Sequence, residues 1–199
     1  MSTRNADIHR KTGETDVRVS VSLDGTGVSE IDTGIGFFDH MLTLFASHGL
    51  FDLTVKCDGD IEVDGHHSVE DIGIAMGQAF CAALGEKRGI TRYGSFYLPM
   101  DETLVLAALD ISGRPFLVYD PGDTPMIPMI GGYDTELTEE FLRAFAFHAG
   151  LTLHVKILYG RNSHHKVEAV FKAVAHALRI AAEKDARLGD MIPSTKGVL

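Results

Sequence analysis

An internal duplication is the feature that most constrains the fold of this chain. Residues 66–83 and 164–181 share seven identical residues out of eighteen, at an offset of 98 positions. Residues 40–56 and 140–156 share seven out of seventeen, at an offset of 100. The change in offset falls in the turn-rich segment 58–60, where a change of length costs little. A repeat spanning half of 199 residues predicts two structural copies that share one core.

Each copy has the same predicted order of elements: strands, a helix, a further strand and a second helix. Apolar and polar residues alternate in 17–23 and 151–157, which is the period of a half-buried strand. Other apolar residues recur at helical spacing, and strands and helices are segregated, so we predict an α+β fold. We place the first half-repeat at residues 1–92 and the second at 93–199, within a single compact domain. Residues 121–132 break every period and are predicted to form a loop.

Composition disfavours several classes of function. The formal net charge of −10 argues against a sequence-independent grip on nucleic acid or an anionic membrane, because both need a basic face. Two cysteines are too few for a disulfide framework and suit a reducing compartment. Residues 1–16 lack the apolar stretch of a signal peptide, and no apolar run approaches the ~20 residues of a membrane span. We therefore expect a cytoplasmic protein without nucleic-acid or membrane partners.

Two histidine pairs in the repeat predict a metal centre. The chain has ten histidines, and four of them lie in HHSVE (66–70) and HHKVE (164–168). On a helix the glutamate shares a face with either histidine, whereas the adjacent rings diverge by about 100° and suit two different ions. At an offset of 100, His40 matches Glu140, and both residue types bind divalent metals. The predicted ligands are His40, His66, His67, Glu70, Glu140, His164, His165 and Glu168.

These donors are nitrogen and oxygen only, which favours Mn, Fe, Co or Zn, with Mn the natural choice. One such pair on a helix is usually solvated or capping, but two pairs in register make the metal interpretation the stronger one. We expect Asp39 and Asp71 to hold the rings through their second nitrogens. From these residues alone, a dinuclear metallohydrolase acting on a phosphoester ranks first. A metal-binding or storage protein without enzymatic activity is the other alternative.

Six motifs together resemble the imidazoleglycerol-phosphate dehydratase family. They are GIGFFDHML (34–42), HHSVED (66–71), ITRYG (90–94), DISGRPF (110–116), GRNSHHKVEAVFKAVAHAL (160–178) and PSTKG (193–197). The resemblance runs from Glu14 to Lys196. It implies two tandem half-domains of the ribosomal-protein-S5-domain-2-like kind, with helices packed on mixed four-stranded sheets. It also implies a homo-oligomer of twenty-four subunits built from trimers, with two Mn²⁺ ions in each active site where subunits meet.

The resemblance further implies roles for individual residues. The metal ligands would be the eight residues named above, although the family usually has histidine where this chain has Glu140. Glu140 either binds metal through oxygen or leaves the site one ligand short. Catalytic roles fall on Glu14, Glu70 and Glu168. The implied substrate contacts, whose Arg, Lys and hydroxyl groups suit a phosphate, are Glu14, His40, His48, Arg92, Arg114, Lys172, Ser194 and Lys196.

The implied reaction removes water from D-erythro-imidazole glycerol phosphate to give imidazole acetol phosphate, a step of histidine biosynthesis. The proton lost from carbon is not acidic, because no carbonyl group lies beside it. We therefore predict a metal-bound imidazolate that expels the adjacent hydroxyl and gives a diazafulvene-like intermediate. Glu14 is the predicted base, and Glu102, in the repeated Glu-Thr pair, is the second choice.

Overall fold

A computed structural model of the chain describes residues 4–199. Its helices are α1 (Gly36–Gly49), α2 (His66–Leu84), α3 (Leu137–Ala149) and α4 (Ser163–Ala182). Its strands are β1 (Asn5–Lys11), β2 (Thr15–Ser22), β3 (Ser29–Asp32), β4 (Asp52–Gly59), β5 (Tyr93–Met100), β6 (Thr103–Asp110), β7 (Phe116–Asp120), β8 (Met129–Ile130), β9 (Tyr133–Asp134) and β10 (Thr152–Tyr159). None of the helices in 4–199 is both long enough and apolar enough to cross a membrane.

The two halves form sheets of the same topology. The first sheet has the order β1-β2-β4-β3 and the second has the order β5-β6-β10-β7. In each sheet one pair is parallel, β3 with β4 and β7 with β10, and the other pairs are antiparallel. The predicted α+β class, with a duplicated half-domain and mixed four-stranded sheets, is therefore confirmed.

The four helices lie between the two sheets. Helices α1 and α2 pack on the first sheet, and α3 and α4 pack on the second. Across the halves, α1 packs on α4 and α2 packs on α3, so the apolar side chains of both copies join in one core. The alternation that predicted β2 has this cause, because Val17, Val19 and Val21 are buried under α2. The division between residues 92 and 93 stays a prediction; β5 begins at Tyr93.

Helices α2 and α3 approach each other closely because α2 carries two glycines at their contact. A Cβ atom on Gly73 would lie 2.8 Å from the Cβ atom of Ala144. A Cβ atom on Gly77 would lie 2.7 Å from the carbonyl oxygen of Phe145. Any side chain at either position would force the helices apart. The two glycines thereby fix how the start of α2 faces the start of α3.

The segment 121–132 is only partly the loop that its sequence predicts. Residues 121–128 are irregular, but β8 pairs with β9 to form a short antiparallel hairpin. Strands of two residues are too short to show a period, so the pattern does not reveal them. The irregular part is tied to α4, since the Lys166 ammonium donates to the Thr124 carbonyl oxygen and the Ile127 N–H donates to the Ser163 hydroxyl.

Candidate active site

Three of the predicted ligands meet where α1 packs on α4. We call His40, His164 and Glu168 the α1–α4 cluster. Oε2 of Glu168 lies 3.0 Å from Nε2 of His164 and 3.5 Å from Nε2 of His40. One ligand atom from each side chain lies within 4.8 Å of the other two, close to twice a metal–ligand bond of about 2.2 Å. Within residues 4–199 it is the one such group of three His, Cys, Asp or Glu side chains.

The carboxylate of this cluster is buried and already paired. The Glu168 side chain is 8% exposed, and the Lys172 ammonium donates to its Oε1 atom. Burial by itself raises the pKa of Glu168, but the hydrogen bond and charge of Lys172, together with the hydrogen bond of His164 and the charge of His40, outweigh it, so the pKa lies below its usual value. Lys172 occupies one oxygen only, which leaves Oε2 facing the two imidazoles. In this structure Lys172, predicted as a substrate contact, orients the cluster's carboxylate.

The matching residues of the repeat lie where α2 packs on α3. We call His66, Glu70 and Glu140 the α2–α3 cluster. His66 and Glu140 line one cavity of about 290 Å³, and Glu70 is exposed one turn after His66. Glu140 is not free, because Nη1 of Arg143 lies 2.9 and 2.7 Å from its two oxygens. The α2–α3 cluster is therefore more exposed than the α1–α4 cluster, and its cation contacts both oxygens of Glu140 where Lys172 contacts one oxygen of Glu168.

The second histidine of the first pair faces carboxylates outside the helices. Nδ1 of His67 lies 3.0 Å from Oδ2 of Asp60 and 3.9 Å from Oε2 of Glu14. The hydrogen bond to Asp60, assisted by the charge of Glu14, raises the pKa of His67. With Nδ1 bound to Asp60, Nε2 remains available as a ligand atom, as in carboxylate–histidine–metal arrangements.

The second histidine of the other pair has the same arrangement. Nδ1 of His165 lies 2.8 Å from Oε2 of Glu102, and the other oxygen of Glu102 accepts from the backbone N–H groups of Arg161 and Asn162 at 3.0 and 2.7 Å. The hydrogen bonds from Asn162, His165 and Arg161 hold the pKa of Glu102 far below its usual value. The Asn162 side chain also accepts from the N–H groups of His164 and His165 and so caps α4.

The prediction that Asp39 and Asp71 hold the imidazole rings is wrong. Oδ1 of Asp39 accepts from the backbone and hydroxyl of Thr33, and Asp71 binds Arg10 and Thr15. Asp60 and Glu102 have this role instead. Asp60 was missed because it lies in a turn several residues before its histidine, and spacing along one helix does not reveal such a contact.

Apart from Lys172, the predicted phosphate-binding residues gather at the opposite end of α4. The Arg92 backbone N–H donates to the carbonyl of Ala181, in the last turn of that helix. The Arg92 guanidinium binds Asp110 at 2.7 and 3.1 Å and the Pro193 carbonyl at 2.8 Å. The guanidinium of Arg92 thus uses its N–H donors to hold the C-terminal segment that contains Ser194 and Lys196. Arg114, 68% exposed, lies 3.6 Å from Asp110 and donates from Nη1 to the Ser112 carbonyl oxygen at 3.3 Å.

His48, predicted as a substrate contact, contacts another histidine. Its Nδ1 atom lies 3.2 Å from Nε2 of His176, and the His176 ring stacks on Phe96 with 4.2 Å between ring centroids. Burial lowers the pKa of both histidines, and the charge of Lys172 adds to the effect on His48. The pair joins α1 to α4 two helical turns beyond His40.

Known proteins share this architecture and sequence. The family model described as imidazoleglycerol-phosphate dehydratase matches residues 33–178. Proteins of that name from Cereibacter sphaeroides and Acetivibrio thermocellus are 60% and 59% identical, over 98% of this chain and 100% and 99% of theirs. The crystal structure of the Staphylococcus aureus dehydratase superposes with a TM-score of 0.82 at 41% identity, covering 91% of this chain and 99% of that one.

A second crystal structure, the Pyrococcus furiosus protein in complex with (S)-C348, gives a TM-score of 0.80 at 36% identity. It covers 96% of this chain and all of that one. The family match spans most of the chain, and the relatives are matched along nearly their whole length. The resemblance seen in the motifs is thus confirmed, and the chain belongs to the imidazoleglycerol-phosphate dehydratase family of enzymes.

Proposed function

We propose that the chain is a manganese-dependent dehydratase that converts D-erythro-imidazole glycerol phosphate to imidazole acetol phosphate and water, in histidine biosynthesis. Family membership supports the reaction, since relatives called imidazoleglycerol-phosphate dehydratase match this chain over nearly its whole length. The α1–α4 cluster is the observation that carries the metal dependence, because two imidazoles and a carboxylate already converge on one point. The cytoplasmic location is part of the proposal.

The donors present fit a divalent ion that accepts mixed imidazole and carboxylate ligands. His40, His164 and Glu168 would hold one ion, and His66, Glu70 and Glu140 would contribute to a second. His67 and His165 offer Nε2 atoms whose rings are oriented by Asp60 and Glu102. When bound, such ions supply Lewis acidity that favours the deprotonated form of an imidazole ring.

Glu14 remains our choice of base, and its surroundings support it over Glu102. Both glutamates lie in matching turns, Glu14 between β1 and β2 and Glu102 between β5 and β6. Both oxygens of Glu102 are occupied by His165 and by backbone donors. Glu14 is exposed, and its one ion-pair neighbour among the described residues is His67 at 3.9 Å. A carboxylate that accepts no competing hydrogen bond is the better proton acceptor.

Different residues of the chain then bind the phosphate and remove the proton during dehydration. Arg114, Ser194 and Lys196 bind the phosphate and so fix the carbon chain in place. The Glu14 carboxylate takes the proton from the carbon next to the one that bears the departing hydroxyl. That hydroxyl leaves as water, with a proton that is balanced by the one Glu14 takes from carbon, and the enol that remains moves its O–H proton to carbon and becomes the ketone. The electrons of the broken C–H bond thereby form the new double bond.

The site is proposed to be complete only where copies of the chain meet. Glu168 and Ala181 are thirteen residues apart on α4, which is about 20 Å along the helix axis. A substrate with a three-carbon chain between its ring and its phosphate cannot bridge that distance. The metal ligands of one copy would therefore work with the phosphate-binding residues of another. This agrees with the expected twenty-four-subunit oligomer built from trimers, which sedimentation analysis would test.

The reaction is tested by incubating metal-reconstituted and chelated protein with imidazole glycerol phosphate. We expect imidazole acetol phosphate from the Mn²⁺-loaded protein, little from the chelated protein, and recovery when Mn²⁺ is returned. Glu14→Gln should keep the metal content and oligomer size but lose most of kcat. Glu102→Gln, the matched change in the other turn, should instead weaken metal binding, because Glu102 orients His165.

Three outcomes would contradict the proposal or part of it. Release of inorganic phosphate without the ketone would favour a metallohydrolase that acts on a phosphoester. A nearly normal rate for Glu14→Gln would remove Glu14 from the role of base. If neither product forms from fully loaded protein, the alternative of a non-enzymatic metal-binding protein gains support.

A further inference from the structure

The repeat places different residues at equivalent positions of α1 and α3. His40 on α1 matches Glu140 on α3, and Thr43 matches Arg143. The Thr43 hydroxyl donates to the Asp39 carbonyl of its own helix at 2.9 Å, so it places no charge beside His40. Arg143 instead places a guanidinium on Glu140. The second copy therefore has a carboxylate and a cation where the first copy has an imidazole and a hydroxyl.

The contacts of Arg143 differ from those of the other clamping cation, Lys172. Lys172 bonds to Oε1 of Glu168 and leaves Oε2 free for the imidazoles. Nη1 of Arg143 reaches both oxygens of Glu140, at 2.9 and 2.7 Å, and its Nη2 atom lies 2.9 Å from Glu139. Glu140 therefore has no carboxylate oxygen that is free of Arg143. A metal ion that used Glu140 would have to bind beside the positive charge of the guanidinium or displace it from one oxygen.

We propose that Arg143 is a positioning residue that competes with the second metal ion for Glu140. The inference rests on the proposed two-ion function. Glu140 lies at the boundary of two cavities, the one it shares with His66 and one beneath residues 121–128. While Arg143 holds it, the α2–α3 cluster lacks a free carboxylate oxygen at this position, whereas in the α1–α4 cluster Oε2 of Glu168 is free of Lys172. The α1–α4 cluster therefore fills first, and the α2–α3 cluster fills second with lower affinity.

Metal titration of the whole protein tests this ordering without reference to activity. Chelated protein is titrated with Mn²⁺, and the free ion is counted by electron paramagnetic resonance. We expect two affinity classes for the wild type. In Arg143→Leu the weaker class should tighten by roughly fivefold, the scale of losing a partly exposed ion pair, while the tighter class stays unchanged. Arg143→Lys, which keeps the charge but cannot bind Glu139 and Glu140 through two separate nitrogens, should fall between them.

Two further variants make the result specific. Arg179→Leu removes the same charge from the last turn of α4, far from Glu140, and should leave both classes unchanged. In a Glu140→Gln background, Arg143→Leu should have no further effect, because the competition needs the carboxylate. A single affinity class in the wild type, an equal change in Arg179→Leu, or an effect that persists with Glu140→Gln would each overturn the proposal.

The proposed function can fail separately. Product formation by Mn²⁺-saturated wild type measures that function alone. If product forms but Arg143→Leu leaves the weaker affinity unchanged, the competition is refuted and the dehydratase function stands. If no product forms while Arg143→Leu still tightens the weaker class, the competition stands and the function does not.

Discussion

The α1–α4 and α2–α3 clusters contain the same duplicated sequence pattern, yet their ligands differ in arrangement and exposure. In the first, the three ligand atoms lie within 4.8 Å of one another around a buried carboxylate. In the second, Glu70 is exposed and Glu140 is bound by Arg143. The spacing of HHxVE is identical in both. The residues around that spacing, and not the spacing itself, decide whether the ligands are assembled.

Helix packing and charge explain the difference. Lys172 follows Glu168 by one turn and compensates its burial, whereas the matching residue after Glu70 is Ile74. With no cation within one turn, Glu70 is stable only where water solvates it. The comparison shows that a duplicated motif can keep its ligands while each copy acquires its own charge balance.

The largest effect on Mn²⁺ affinity is expected when the charged carboxylate of one cluster is replaced by an amide, and it distinguishes the two clusters. Glu168→Gln should weaken the tighter Mn²⁺ class by about a hundredfold or more, because even groups that only orient a ligand are worth 10–100-fold. Glu70→Gln, the matched change in the other copy, should leave that tighter class intact. Both are measured by Mn²⁺ titration of chelated protein. Equal losses of the tighter class in the two variants would show that the clusters do not bind independently.

A second, smaller effect is expected when the charge balance around Glu168 is made to resemble that around Glu70. Lys172→Ile reproduces Ile74 and leaves the Glu168 carboxylate buried without its cation. We expect a loss of about 1–3 kcal/mol in the free energy of unfolding of the metal-free protein at pH 7. Urea unfolding measures it, with Ile74→Val as a control on the matching helix face. An unchanged midpoint would mean that Glu168 is solvated in solution.

The smallest expected effect concerns the His48–His176 pair, which α2 and α3 do not have. There the matching residues are His148, whose Nδ1 atom lies 2.9 Å from the Ala144 carbonyl oxygen, and Gln78. Burial lowers the pKa of both paired histidines, so the unfolded chain binds more protons than the native one below about pH 6.5. The stability that the pair contributes is therefore complete above that pH and is lost as the pH falls towards the lowered native values.

The measurement compares variants of the two interfaces. Between pH 8 and pH 5.5, metal-free His176→Gln should lose about 2 °C less in Tm than the wild type. His148→Gln, the matched change at the α2–α3 interface, should fall in Tm as the wild type does. A His176→Gln profile parallel to that of the wild type would show that the pair is solvated and titrates normally.

Much of the fold and part of the site were predictable from local patterns. Alternation in 17–23 and 151–157 became β2 and β10, and both HHxVE segments lie at helix starts. The contacts that complete the site join residues far apart in the sequence, such as Glu102 with His165 and His40 with Glu168. No spacing rule within one helix or strand contains that information. Short strands such as β8 also fall below the length at which a period can be read.

The sequence by itself determined the duplication, the order of elements, the family and the types of ligand, because each of these is written in local spacing and residue chemistry. Only the tertiary structure decided which helices pair across the halves, and therefore that α4 meets α1 and α2 meets α3. It also decided that Asp60 replaces Asp39 and Asp71 as an imidazole partner, and that Arg143 holds Glu140. The physical reason is that packing brings together side chains whose charges and hydrogen-bonding needs are satisfied only in three dimensions.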